Sequence, residues 1–212
     1  MLASKTRLAR SAVGPLSRGG GGTRSVSTAD CAEERRRRRL YDRMLRVDHA
    51  GELGADRIYA GQAAVLGTRS EAGALVQHMW EQEKEHLRAF EGLLPRHRAR
   101  PSVLLPLWSV AGFALGAATA LLGERSAMAC TVAVETAITD HYTEQMRTLL
   151  ADDDGAQRHR DLLEVIGKCR DDEQEHHDVG MAHGAAQAPF YGLLTAAIGT
   201  GCKAAIWLAQ RL

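Results

Sequence analysis

Two short segments constrain this chain more than any others: Glu83-Lys84-Glu85-His86 and Glu173-Gln174-Glu175-His176. Each carries a glutamate and a histidine three residues apart. On a helix that spacing puts a carboxylate and an imidazole on adjacent turns of one face. Each segment also follows a lone glutamate in an apolar setting. Glu52 shares a stripe with Ala55 and Tyr59, and Glu135 sits behind Val132-Ala133-Val134 and ahead of Ile138. Such positions do not read as a solvated face. Four glutamates pointing into one apolar bundle would be very costly unless cations or protons met them.

The flanking periodicity is helical. A helix is expected over 43–66, with Leu45, Asp48, Glu52, Ala55, Tyr59 and Ala63 on one face. Gly67 should stop it and Ser70 should cap the next. That second helix carries Val76, Met79, Glu83, His86, Phe90 and Leu94, and Pro95 ends or follows it. A third, about 126–150, aligns Met128, Val132, Glu135, Ile138, Tyr142, Met146 and Leu149. A fourth, about 157–181, aligns Leu162, Ile166, Cys169, Glu173 and His176. No alternating run bounded by turn residues signals a strand.

Two further segments are apolar. Residues 101–123 hold no charge. A helix over about 107–122 would rise only about 24 Å, short of the hydrocarbon thickness, so a buried or membrane-interface helix is expected rather than a span. Gly112 and Gly116 form a G-x-x-x-G step that permits close helix approach. Between 190 and 212 the only charges are Lys203 and Arg211, with Tyr191 and Trp207 as interface-type anchors near the ends. Each half therefore reads as a glutamate helix, an E-x-x-H helix and an apolar helix. The expected fold class is all-α: a four-helix bundle with two additional apolar, membrane-facing helices and an internal two-fold repeat, its halves about 40–123 and 126–212.

The N-terminus differs in kind. Residues 1–28 contain no acid but include Lys5, Arg7, Arg10, Arg18 and Arg24, several serines and a run of glycines at 19–22. No apolar segment follows the basic residues. This pattern resembles a mitochondrial transit peptide, the alternative being a disordered basic tail. Residues 1–35 are therefore set apart as a leader and 36–212 taken as one domain. The arginine run at 35–39 reads either as a contact for anionic lipid or as a solvated charge run. The four cysteines, Cys31, Cys130, Cys169 and Cys202, have no C-x-x-C pairing, which argues for free thiols over a zinc or iron–sulfur site. A net charge of +1 gives no reason to expect nucleic acid. No G-x-G-x-x-G fingerprint marks a Rossmann nucleotide domain.

Two E-x-x-H helices plus one glutamate from each of two others supply the six ligands of a di-iron or di-manganese bundle. Here the set is Glu52, Glu83, His86, Glu135, Glu173 and His176. Oxygen and imidazole donors suit those metals, and four carboxylates balance the charge of two divalent ions. Glu85, Glu91 and Glu175 read as surface residues. His177 points about a quarter-turn away and is structural or supporting rather than a ligand. Asp48, one turn before Glu52, is placed either to hold a ligand histidine by its free N–H or to make an ordinary cap or ion pair. Tyr59 and Tyr142 each lie seven residues after a candidate ligand; they are either core tyrosines with satisfied hydroxyls or members of the site.

The blocks at 47–52 (VDHAGE), 58–62 (IYAGQ), 81–86 (EQEKEH), 131–135 (TVAVE) and 173–178 (EQEHHD) resemble the demethoxyubiquinone hydroxylase family. The similarity runs over about 39–212. The resemblance implies a ferritin-like di-iron bundle, peripheral on the matrix side of the mitochondrial inner membrane. It implies an O2-dependent monooxygenase that hydroxylates the ring of demethoxyubiquinol in ubiquinone biosynthesis. It makes Glu83 and Glu173 bridging ligands and Glu52 and Glu135 terminal ones. It sets His141 and Tyr142 where the family handles reductant, and implies NADH as that reductant and a lipid-binding accessory protein as a partner. A polyprenyl quinol is strongly apolar, so its enzyme must meet a membrane, and the two apolar helices offer a surface for that. A quinol oxidase of the alternative-oxidase type shares the ligand set but fits the quoted blocks less well. A ferritin-like iron-storage protein would need a soluble, cage-forming exterior, against which the uncharged 101–123 segment argues.

Overall fold

The computed structural model describes residues 28–212. They form seven α-helices: α1 (Thr28–Leu66), α2 (Glu71–His97), α3 (Leu105–Leu121), α4 (Glu124–Leu150), α5 (Gly155–Arg158), α6 (Arg160–Ala182) and α7 (Tyr191–Ala209). A 3₁₀ turn, Ala185–Gln187, joins the last two. No strand occurs among the described residues.

The helix punctuation follows local chemistry. Gly67 takes the left-handed conformation after α1, and the Ser70 hydroxyl accepts from the Gly73 amide 3.2 Å away to start α2. Pro95 lies inside the last turn of α2, which continues to His97 and closes on Arg98 in the left-handed region. The fourth expected helix is broken at its start. α5 stops at Arg158, and His159, completely buried, bonds to Tyr41 through Nδ1 and to Asp152 through Nε2.

Helix α1 begins at Thr28, well before residue 43. Residues 29–39 are mostly good helix formers, and the extension is tied down by Glu33, which accepts from Arg158 at 2.7 Å, and by Arg36 near Asp152. The last eight residues assigned to the leader are thus part of this helix. Most of the transit-peptide segment, residues 1–27, lies outside the described residues.

Helices α1, α2, α4 and α6 form a closed ring in which neighbours run antiparallel. Tyr41 meets His97 while Asp56 meets Trp80, which sets α1 against α2. Asp48 meets Gln145 while Gln62 meets Ala127, which sets α1 against α4. His97 meets Asp161 while Gln82 meets His176, which sets α2 against α6. One apolar core fills the end holding Leu45, Phe90, Leu149, Leu162 and Ile166. A second fills the end holding Val76, Met79, Met128 and Val132. The E-x-x-H segments lie between the two.

Helices α3 and α7 lie outside the ring. Leu115 of α3 and Leu194 and Ile198 of α7 pack with Ile58, Ala133 and Val134 of the bundle. The G-x-x-x-G step brings α3 into backbone contact with α1: a Cβ on Gly116 would fall 1.9 Å from the Ile58 carbonyl oxygen, and one on Gly61 would fall 2.2 Å from that of Phe113. Neither obstacle is a side chain that can swing aside. Gly116→Ala is therefore expected to destabilise the chain by about 1–3 kcal/mol, the range for overpacking a tight site. Chemical denaturation of the purified variant measures this, whereas Gly92→Ala, whose added Cβ meets nothing within 4 Å, should be neutral or stabilising.

Candidate metal centre

Each ring helix delivers its part of the predicted set: Glu52 from α1, Glu83 and His86 from α2, Glu135 from α4, Glu173 and His176 from α6. None is more than 2% exposed. They form two overlapping groups, Glu52–Glu83–His86–Glu173 and Glu83–Glu135–Glu173–His176, and within each the donor atoms lie no more than 4.8 Å apart. Glu83 and Glu173 belong to both. His86 Nδ1 lies 3.1 Å from Glu173 Oε1 and 3.5 Å from Glu52 Oε2. His176 Nδ1 lies 3.0 Å from Glu173 Oε2 and 3.2 Å from Glu83 Oε1.

The outward nitrogens are held from the opposite helix. His86 Nε2 lies 2.8 Å from Asp172 Oδ2, and His176 Nε2 lies 3.1 Å from Gln82 Oε1. In the neutral imidazole, donation from Nε2 to these oxygens leaves the Nδ1 lone pair facing inward, the form a metal ion would bind. Asp172 and Gln82 each immediately precede the E-x-x-H glutamate of their own helix, so each motif orients the histidine of the other. The sequence offered Asp48 for this task as one of two readings. Asp48 instead faces His141 at 3.3 Å and accepts from Gln145 at 2.6 Å, the ordinary ion pair that was its other reading.

The two tyrosines cross over in the same way. The Tyr59 hydroxyl of α1 donates to Glu135 of α4 at 2.7 Å, and the Tyr142 hydroxyl of α4 donates to Glu52 of α1. Both are members of the site with satisfied hydroxyls. His141 is displaced from it, facing Asp48 and Gln145. His177 is half-buried beside Asp178, and Glu85, Glu91 and Glu175 are exposed. Cys169, one turn before Glu173, brings a thiol to Glu52 and His86. Its place on the α6 stripe was visible in the sequence, but its approach to α1 was not. Burial, followed by the nearby Glu52 charge, pushes the thiol up so that it stays protonated.

The electrostatics are those of carboxylates crowded together out of water. Burial pushes the carboxyls of Glu83, Glu135 and Glu52 up, and neighbouring carboxylates, Glu173 foremost, push further. Burial acts on Glu173 too, but hydrogen bonds from His176 and His86 outweigh it and hold that carboxyl at about 2. Both histidines are held above their usual range, against their burial, by the same carboxylates. Glu52 Oε2, Glu135 Oε2 and both oxygens of Glu83 are buried and accept no hydrogen bond, although imidazole nitrogens lie nearby. Orphaned carboxylate oxygens converging from three helices, α1, α2 and α4, fit hard divalent cations.

Four carboxylates and two imidazoles in two groups that share a pair of glutamates place the chain among the carboxylate–histidine bundles able to house two metal ions. A family model described as ubiquinone biosynthesis protein COQ7 matches residues 39–209. The chain is 55% identical over 175 residues to the human NADPH-dependent 3-demethoxyubiquinone 3-hydroxylase, mitochondrial, covering 82% of this chain and 79% of that protein. It is 53% identical over 173 residues to the 3-demethoxyubiquinol 3-hydroxylase of Rhodospirillum rubrum, with 82% and 79% covered. It is 45% identical over 183 residues to the 5-demethoxyubiquinone hydroxylase, mitochondrial, of Saccharomyces cerevisiae, with 82% and 78% covered. The chain belongs to the COQ7 family of ubiquinone biosynthesis proteins. The human relative's name specifies NADPH, where the sequence resemblance implied NADH.

The shifted groups predict how the metal-free chain responds to pH. Glu52, Glu83 and Glu135 keep their protons longer in the folded state, and so do His86 and His176. The folded chain therefore binds more protons than the unfolded one, and its stability should fall as pH rises from about 5 to 9. Glu173 acts oppositely, but its contribution is complete above the ordinary carboxylate range and is lost only in acid. Thermal denaturation of chelator-treated protein across that range checks the sign. Saturating ferrous ion should remove most of the slope; a midpoint that rises with pH in the metal-free chain contradicts this account.

Proposed function

We propose that this chain is an O2-dependent monooxygenase that hydroxylates the ring of demethoxyubiquinol in ubiquinone biosynthesis. We assign two iron ions to Glu52, Glu83, His86, Glu135, Glu173 and His176, with Glu83 and Glu173 bridging and Glu52 and Glu135 terminal. The observation that carries the assignment is that these two glutamates alone belong to both donor groups. Family membership and the names of the relatives carry the substrate class.

One oxygen atom enters a ring C–H bond and the other leaves as water, with two electrons and one proton drawn from a reduced nicotinamide and a second proton from solvent. Bound iron supplies the redox chemistry that activates O2. The chain's own contribution is positional. Gln82 and Asp172 aim the imidazoles. Tyr59 and Tyr142 hold the terminal carboxylates at one oxygen each, leaving the other free for metal. The two apolar cores keep bulk water from the carboxylate layer, which strengthens every charge interaction there.

The quinol reaches this site from a membrane, and we assign the membrane-facing role to α3 and α7. Val103, Leu107, Val110 and Phe113 on one segment and Leu193 and Trp207 on the other are exposed. α7 is long and apolar enough to cross a bilayer by length and composition, yet little of it is buried. We read both as lying on the matrix face of the mitochondrial inner membrane; the mitochondrial names of relatives support the organelle. A lipid-binding accessory protein of the pathway would deliver quinol to this same surface. The halves at 40–123 and 126–212 read as a duplicated unit within one 36–212 domain, supported by the reciprocal tyrosine and E-x-x-H contacts. NADH and NADPH both supply the required electrons, and the relatives' names favour NADPH.

Anaerobic loading with ferrous ion should give about two irons per chain, and demethoxyubiquinone analogue with reduced nicotinamide and O2 should give a product one oxygen heavier that takes its label from O2. Less than about one iron per chain, or label taken from water, would sink the reading. Glu173→Ala and His86→Ala should lose iron and hydroxylation while keeping most of their helix, as circular dichroism would show. Asp172→Ala should weaken iron binding by about 10- to 100-fold, the usual cost of removing a partner of a ligand histidine.

A further inference from the structure

We propose that the two metal positions of the cluster are chemically unequal, and that Glu52, His86 and Cys169 form a subsite for a thiophilic divalent cation of the zinc class. The inference shares Glu52 and His86 with the iron assignment and rests on that reading only for its consequence, the displacement of one iron. The three donors come from α1, α2 and α6, and their ligand atoms all lie within 4.8 Å of one another. None of the three residues is more than 2% exposed. No C-x-x-C spacing announces the subsite, because each donor stands on a separate helix.

The thiol does not stand alone. Glu52 Oε2 is buried, accepts no hydrogen bond and lies 3.5 Å from His86 Nδ1. The other oxygen, Oε1, is taken by the Tyr142 hydroxyl, so Oε2 is the one left to meet an ion beside Cys169. Donors held at about 2.0–2.3 Å from a zinc ion stand roughly 3.3–3.7 Å apart at tetrahedral angles. Small side-chain shifts therefore bring all three onto one ion. Glu173 Oε1 lies 3.1 Å from His86 Nδ1 and is placed to complete a set of four, while its Oε2 stays with His176 at 3.0 Å. The Cys169 proton leaves to solvent as the sulfur–metal bond forms.

The other position lacks such a donor. Cys169 stands four residues before Glu173, and the residue four before Glu83 is Met79. A thioether is a neutral, weak donor, and Met79 Sδ lies 3.8 Å from the Tyr59 hydroxyl. The group of Glu135 and His176 holds carboxylate and imidazole donors alone, the kind that iron and manganese accept. A thiolate favours zinc over those harder ions. Four protein donors close the coordination shell, as in zinc sites that hold structure and leave no position for a reactant. Zinc also has no redox chemistry. An ion held at Cys169 therefore blocks one iron position and opposes the oxygen chemistry while leaving the second position free.

Anaerobic titration of the metal-free full chain with cobalt(II) alone should raise a near-ultraviolet thiolate-to-cobalt charge-transfer band within the first equivalent. Cys169→Ser should abolish the band, while Cys130→Ser and Cys202→Ser keep it. Competition against a chelating dye should show zinc bound at least about tenfold more weakly by Cys169→Ser, with manganese(II) affinity changed by less than about twofold. Retained manganese binding, beside an unchanged circular dichroism spectrum, excludes a folding defect. One equivalent of zinc should lower ferrous uptake by the wild type from about two ions per chain to about one. Cobalt(II) that fails to bind, or binds with no thiolate band, overturns the proposal. So does a band that survives Cys169→Ser, or equal losses of zinc and manganese in that variant. Ferrous loading of the zinc-free chain reports on the iron assignment separately. Less than about one iron per chain beside an intact Cys169-dependent band condemns the di-iron reading and leaves the subsite standing; about two irons with no thiolate band does the reverse.

Discussion

The whole structure is organised around the burial of four carboxylates in one layer. Moving a single charge out of water costs several kcal/mol even after the surroundings relax, and these four lie within one donor cluster. The fold answers with two imidazoles directed inward, two tyrosine hydroxyls and an apolar plug at each end of the bundle. Even so, four carboxylate oxygens of Glu52, Glu83 and Glu135 accept no hydrogen bond. A bundle evolved for stability alone would have placed leucines there. The unmet oxygens suit a cluster that could hold cations.

That layer is built reciprocally. The ring helices run antiparallel to their neighbours, so a motif on one helix meets its counterpart head to tail. Gln82 and Asp172 therefore orient one another's histidines, and Tyr59 and Tyr142 hold one another's lone glutamates. Removing one residue from such a network exposes its partner as an uncompensated buried group, so deletions should not behave additively.

Outside the ring the constraint is different. Glycines 61, 112 and 116 let α3 lie against α1 at backbone distance, and that frees its larger side chains to point away from the protein. The apolar exterior of α3 thus accompanies close packing on its inner face.

Much of this was legible in the sequence, because helical periodicity is local. The six candidate ligands, the caps at Gly67 and Ser70, the G-x-x-x-G step and the interior position of both tyrosines follow from spacing along single helices. What the spacing could not supply was any relation between helices. It left Asp48 open between a ligand histidine and an ordinary polar contact, and antiparallel packing delivered Asp172 and Gln82 to the histidines instead. It stopped α1 short at residue 43, because nothing local shows that Arg158 and Asp152 tie down the extension, and it left Tyr59 and Tyr142 undecided because their acceptors lie on the other half of the chain. The sequence by itself determined that two carboxylate–imidazole pairs and two lone glutamates would be buried. Only the tertiary structure decided that Glu83 and Glu173 are common to both groups, since sharing depends on where four separate helices place their side chains at one level of the bundle.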